Sequence, residues 1–322
     1  MKTFKSFLAI HLEDFIQYRR EMGYVNKSLS SKLKIFDRYV LEKAQSLRDL
    51  NPSFFLDFRE NIPGRPSSVN NVVLTVRNFF AYLHRYGYVD YNPLQELPAK
   101  TENAFIPFIF SPKQIQDLLQ AVQAQIRRNK EEYFLMDLGI YMSIRLMAGC
   151  GLRISEPLQA GIDHYDPFQG TIFIEKTKFH KDRLIPLPRV VQQDLDNYLA
   201  LRKSIRPENP YLLPGFKKDL RNQQIYSVFH RAVQDIGIQA PRKILGNMVF
   251  GHPTPHSLRH SFAVNTLKAA RERGQDPQKV LPVLSAYMGH SKYRYTALYL
   301  KVLDAARRQG FVDFAISHLE EI

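Results

Sequence analysis

The chain has 322 residues, enough for two domains with cores of their own, and carries 45 Lys and Arg against 31 Asp and Glu, a formal charge of +14. With a pI near 9.7, the most economical partner is a polyanion. The single cysteine, Cys150, excludes an intramolecular disulfide and Cys-rich zinc modules.

Of those charges, 15 of the 45 basic and 11 of the 31 acidic residues precede Ala104. Both parts are net positive, which suits a long ligand touched by both rather than one basic tail. Met1-Lys2-Thr3-Phe4-Lys5 lacks a signal-peptide h-region. No apolar stretch approaches the roughly 20 residues that cross a bilayer. A soluble, intracellular protein is expected, cytoplasmic and associated with the nucleoid if the polyanion is DNA.

In chain order, Phe4, Phe7, Leu8, Leu12, Phe15 and Ile16 follow a helical period that Gly23 ends. A second helix runs from about Ser28 to Ala44, Pro52 opens a shorter one, and Ser67 to Tyr86 carries the long apolar stripe Val69, Val72, Val73, Val76, Phe79, Phe80 and Leu83. Asn92-Pro93 marks the exit. Residues 97–110, with Pro98 and Pro107, lack a clean period and read as a linker. Ser111-Pro112 is an N-cap followed by proline at the first helical position, so a second domain starts there with helices Pro112 to Ala124 and Glu132 to Ala148. In that apolar run Cys150 reads as a small buried hydrophobe.

Beyond Arg153 the pattern changes. Gly170 to Glu175 and Arg183 to Leu187 are short β-favouring runs separated by the basic turn Lys176 to Asp182, a small antiparallel sheet. Helices resume at Arg189 to Lys203, Asn222 to Ile236, Pro255 to Ala270, Pro277 to Met288 (with Pro282 a candidate break), Tyr293 to Val302 and Val312 to Leu319. The fold class expected is mainly α with a small antiparallel β-sheet: a helical domain over 1–96, a linker over 97–110 and a mixed α/β domain over 111–322.

Four segments stand out in the second domain: Gly151-Leu-Arg-Ile-Ser-Glu156, Lys178-Phe-His-Lys-Asp-Arg183, His256-Ser-Leu-Arg-His260 and Gly289-His-Ser291, the last followed by Tyr299. Cleaving a phosphodiester without metal puts negative charge on non-bridging oxygens, which planar, permanently charged arginines match best; Arg153 and Arg259 fit, although a lone arginine is more often structural or solvated. The leaving oxygen needs a proton, which a lysine in the flexible basic turn could supply. Lys176, Lys178 and Lys181 compete there, and most such lysines are solvated. A tyrosine hydroxyl is mostly protonated at neutral pH; neighbouring arginines would lower its pKa, and a hydrogen-bonded histidine would accept its proton. Tyr295 shares a helical face with Tyr299, so chemistry alone leaves both. His252, His256 and His260 recur every four residues, but Pro253 and Pro255 keep His252 off the helix and no Cys or carboxylate cluster completes a metal set.

These motifs, in this order over residues 112–302, resemble the tyrosine recombinase (integrase) family. The resemblance selects Arg153 with its acidic neighbour Glu156, Lys178 as general acid, His256, Arg259 and, in support, His260, then His290 and the nucleophile Tyr299. It implies a mixed α/β catalytic domain behind a helical core-type DNA-binding domain. It also implies a 3′-phosphotyrosyl intermediate and no metal, ATP or other cofactor. Pro157, Tyr287-Met288 and Lys301 depart from the family's usual residues without removing a chemical group.

By the same resemblance the partner is double-stranded DNA with specific recombination sites, held by four protomers. The segment after Tyr299, with Phe311, Val312, Phe314, Ala315, Ile316 and Leu319, would dock on a neighbouring protomer; packing on its own domain is the simpler alternative. A type IB topoisomerase-like enzyme shares the chemistry, and a DNA-binding regulator with a decayed site is the non-enzymatic alternative, against which the full set of six argues.

Overall fold

The computed structural model describes residues 4–24, 28–175, 182–206, 208–215, 220–245, 248–290, 296–300 and 302. The chain folds as two units, Met1–Asn103 and Ala104–Ile322.

The first unit is built from α1 (Ala9–Glu21), α2 (Leu29–Lys43), α3 (Pro52–Asn61) and α4 (Pro66–Arg85). The seven-residue stripe on α4 is buried throughout. Phe36, fully buried, lies at 5.4–6.4 Å between ring centroids from Phe55, Phe58, Phe79 and Phe80, three of these contacts edge-to-face. Such pairs add to the apolar area each ring removes from water. Asp37 is the polar exception: its buried carboxylate accepts the backbone N–H groups of Lys5 and Ser6 at 2.9 and 3.0 Å, tying the N-terminal segment to α2.

In the second unit the elements are β1 (Ala104–Ile106), α5 (Pro112–Ala124), α6 (Glu131–Cys150), α7 (Ser155–Gln159), β2 (Tyr165–Asp166), β3 (Thr171–Ile174), β4 (Arg183–Pro186), α8 (Arg189–Ile205), α9 (Asn222–Asp235), β5 (Lys243–Leu245), β6 (Met248–Phe250), α10 (Pro255–Glu272) and α11 (Pro277–Met288). Residues 296–300 are again helical. Helix α6 is buried nearly all round and packs against α5, α8, α9 and α10, as an almost uniformly apolar helix must. Cys150, at its end, is buried, and that burial pushes its thiol up to about 12. Ser111 caps α5 by accepting from Gln114 N, while Gln114 Oε1 accepts from Ser111 N, a reciprocal capping box.

The structure departs from the sequence reading in two places, and it ties both ends of residues 97–110 to the cores beside them. Leu97 is buried in the first core, where Arg59 and Arg77 donate to the carbonyls of Pro98 and Leu97 and Asn70 pairs with the backbone of Lys100. Phe110 is buried in the second core, where Phe110 N donates to Ser261 Oγ and Asn265 Nδ2 to Phe110 O on α10. Among the described residues there are two small sheets, not one. The expected antiparallel one is β2-β3-β4; the other is β1-β6-β5, in which β1 runs parallel to β6. Pro282 lies inside an unbroken α11, because the carbonyl it deprives of a donor belongs to exposed Gln278 in the first turn and can turn to water. The expected helix over Val312 to Leu319 lies outside the described residues.

Candidate active site

The site is assembled from the ends of helices. Helix α6 stops at Gly151, whose φ of 62° is left-handed and whose N–H donates to Met147 O. A Cβ there would come within 2.5 Å of the Phe262 ring, so glycine is required both for the turn and for the close approach. The turn delivers Arg153, its side chain 31% exposed, beside Glu156, 7% exposed, in the first turn of α7. The Glu156 carboxylate accepts four hydrogen bonds: from Arg153 N (2.8 Å) and Nη1 (2.7 Å), and from Arg183 Nη1 (3.1 Å) and Nη2 (2.9 Å). Burial pushes its pKa up, but the Arg183 fork and the Arg153 N–H outweigh it and hold the carboxyl below its ordinary value.

Three guanidinium groups converge on the C-terminal end of α11. Arg183 Nε donates to Tyr287 O at 2.9 Å, Arg259 Nη2 to Met288 O at 2.5 Å and Arg153 Nη2 to Gly289 O at 3.0 Å. Helix ends leave carbonyls without intrahelical donors and carry partial negative charge, so three consecutive main-chain acceptors hold three cations side by side. Gly289 closes the helix with φ 64° and carries the chain to His290.

Helix α10 opens at Pro255, and its first turns put His256, Arg259 and His260 on one face by their i, i+3 and i+4 spacing. Arg259 is 1% exposed and spends its fork on two helix ends, Gly151 O at 2.6 Å and Met288 O. Burial first, and Arg153 second, pull it down to about 9, so it stays cationic at neutral pH. Burial pushes His260 down to about 3, helped by His256 and Arg259, and His290 down to about 4, helped by Arg259 and Arg153. His256, the most open of the three, is lowered by desolvation and then by Arg259 and Arg153. All three rings are therefore neutral at pH 7.

Tyr299, 3% exposed, places its hydroxyl 3.1 Å from His260 Nδ1 and its ring beside those of His260 and His290. His290 Nδ1 is hydrogen-bonded to Thr296 Oγ1 at 2.7 Å, one turn before the tyrosine. The arginines were expected to lower the tyrosine pKa. Instead burial wins: Tyr299 is raised above its ordinary value, with Arg259 and Arg153 opposing only in part.

Arg153, Glu156, His256, Arg259, His260, His290 and Tyr299 thus come together from α7 and the turn before it, α10, the end of α11 and the last described helix. Lys178 and its competitors Lys176 and Lys181 lie outside the described residues, as do Tyr293, Tyr295 and Lys301. The sequence reading passed over Thr296 and, more consequentially, Arg183. The signal for Arg183 was present: period-two alternation puts it on the same face of β4 as buried Ile185, and a charge on a covered face needs a partner. Among the described residues no group of three or more His, Cys, Asp or Glu is arranged to hold a metal ion, and no helix is long and apolar enough to cross a membrane.

The model of the phage integrase family matches residues 109–306, which contain this whole constellation. The chain belongs to the phage integrase family. Among curated relatives, the Sinorhizobium fredii protein y4rE, which carries the name integrase/recombinase, is 27% identical over 320 residues, 97% of this chain and 99% of that one. The tyrosine recombinase XerC of Oceanobacillus iheyensis is 22% identical, covering 95% of each chain. The fold is also that of a lambda integrase dimer bound to a core site, with a TM-score of 0.66, 15% identity and 92% of this chain and 78% of that one covered. It is likewise similar to XerH bound to its difH substrate, with a TM-score of 0.64, 18% identity and coverage of 92% and 83%. Family members are tyrosine recombinases, and this chain is an enzyme of that class.

Proposed function

We propose that this phage integrase family enzyme cuts and rejoins double-stranded DNA at specific sites through a covalent link to Tyr299. The observation that carries the reading is the meeting of the Tyr299 hydroxyl with neutral His260 beside the guanidiniums of Arg259 and Arg153. Arg153, with a third of its side chain open to solvent, and Arg259 behind it meet the non-bridging oxygens of the scissile phosphate. Tyr299, protonated at rest because it is buried, gives its proton to a neighbouring imidazole as its oxygen attacks phosphorus. The bond from phosphorus to the 5′ oxygen breaks, leaving a 3′-phosphotyrosyl link and a 5′ oxygen that takes a proton, for which Lys178 is the assigned donor. His256 and His290 orient phosphate oxygens. A 5′ hydroxyl of a second duplex then attacks the link and the tyrosine regains its proton. Each step exchanges one phosphodiester for another, so the cycle needs no ATP or other cofactor.

A lambda integrase with this fold has been seen as a tetramer on a Holliday junction. We assign four protomers on two sites to this chain as well, with residues after Tyr299 docking on a neighbour. The target site is found by covalent capture: full-length protein is mixed with nicked duplexes tiled across the DNA that flanks its gene, and adducts are isolated on a denaturing gel and sequenced. Wild type should form an adduct on a defined sequence, and Tyr299→Phe should form none. No adduct on any duplex would sink the enzyme reading; an adduct persisting in Tyr299→Phe would sink this nucleophile. Relaxation of supercoiled plasmid lacking the captured site would point instead to a topoisomerase.

A further inference from the structure

The Arg183 side chain is only 9% exposed within the site, yet the chemistry just assigned makes no use of it. Arg183 stands at the first position of β4, opposite Ile174 of β3. All three of its nitrogens donate: Nε to Tyr287 O, Nη1 to Glu156 Oε1 and Nη2 to Glu156 Oε2. With three of its five N–H donors committed and so little of its side chain exposed, the fork has little left to offer a phosphate. Arg153 is different. It shares Glu156 Oε1, takes Gly289 O, and remains 31% exposed.

The two arginines lean on the same two supports, the Glu156 carboxylate and the end of α11. Arg183 supplies two of the four donors to Glu156, and removing them would leave a buried carboxylate half-satisfied and free to turn about its side-chain torsions. It also supplies the donor to Tyr287 O, two residues before the carbonyl that Arg153 uses. Its guanidinium lies so close to Gly289 that a Cβ there would meet Nη1 at 2.9 Å. Each support of Arg153 is thus also held by Arg183.

We propose that Arg183 is a positioning residue for strand cleavage, fixing Glu156 and the Tyr287–Gly289 turn so that Arg153 meets the scissile phosphate. This rests on the recombinase reading above.

The test uses the full-length protein and the nicked duplex captured there, made once with an ordinary phosphodiester and once with a methylphosphonate, where a methyl group replaces one non-bridging oxygen and its charge. On the phosphodiester, Arg183→Gln should slow adduct formation by about 100-fold. Arg183→Lys should slow it by about 10-fold, since a point charge cannot serve a carboxylate and a carbonyl with fixed geometry. On the methylphosphonate the charge that Arg153 neutralises is gone. The deficits of Arg183→Gln and of Arg153→Ala relative to wild type should both shrink to about threefold. The double variant on the phosphodiester should be within about threefold of Arg153→Ala alone, because the second change acts through a group already removed. Equal deficits of Arg183→Gln on both substrates, or losses that multiply in the double variant, would overturn the positioning role. If Arg183→Gln does not fold, Arg183→Lys carries the same two readouts. Absence of any wild-type adduct is a separate outcome that removes the recombinase reading and this inference with it.

Discussion

Both units have an apolar core, but the second buries a charged centre as well. Around Phe36 the first unit packs rings edge-to-face, and little there depends on any single atom. At the corresponding depth the second unit buries Arg259 and Glu156, whose every polar atom needs a partner. Apolar cores gain from area and shape and lose gradually when trimmed. Charged centres lose abruptly, because a partner left behind is both buried and unsatisfied. The second unit therefore adds to its apolar core a centre whose cations are kept in fixed places.

That contrast can be broken or sharpened by experiment. The largest effect should come from Arg259→Lys, which keeps the charge but cannot hold Gly151 O and Met288 O together. Adduct formation should fall by about 10²–10³-fold, with about 1–3 kcal/mol lost from urea-induced unfolding for the carbonyl left without a donor. Near-wild-type cleavage would show that the fork geometry is dispensable. Phe36→Ala should cost the first unit about 3–5 kcal/mol. It should leave the NMR signals of His260 and His290 where they were; shifts in those signals would mean that the two centres are one.

Acid should act on the polar centre next. The folded values of His260 and His290, about 3 and about 4, lie below the ordinary 6.5 of an unfolded histidine. As pH falls below about 6.5 the unfolded chain binds protons that the folded chain refuses, so stability drops with pH until those folded values are reached. The lowered Glu156 adds a further loss below about pH 4.5. The Tm of the full-length chain should decline from pH 7 to pH 4, and His260→Leu should flatten that decline; an unchanged slope would remove His260 from the account. The smallest effect expected is from Gly289→Ala. A left-handed φ and contact with Arg183 should cost about 1–2 kcal/mol, readable as a Tm shift that Arg183→Gln partly relieves.

Much of this was legible in the sequence, and the reasons differ by element. The bounds expected for α5, Pro112 to Ala124, are those observed, because Ser111, Pro112 and Gln114 define a helix start by local hydrogen bonding alone. Strands β1, β5 and β6 were missed because each is three residues long. The partner of β1 is also remote: Phe105 pairs with Val249, and nothing local announces that. Arg153, His256, Arg259, His290 and Tyr299 were singled out by motif, and the structure brings them close together. The direction of the Tyr299 shift was misjudged because burial, the term that decided it, is a property of packing. His260, read as a supporting residue, turned out to be the group on the tyrosine hydroxyl, since motif spacing does not say which of two histidines on a helical face points at which neighbour.

The acceptors at the end of α11 have an evolutionary consequence. Carbonyl oxygens belong to the backbone, so the scaffold for three cations is written in a part of the chain that substitution cannot delete. A side-chain substitution at Tyr287 or Met288 leaves Arg183 and Arg259 the same oxygens to hold. At this corner a substitution can remove the arginines, or the left-handed turn at Gly289, but not the carbonyls that anchor them.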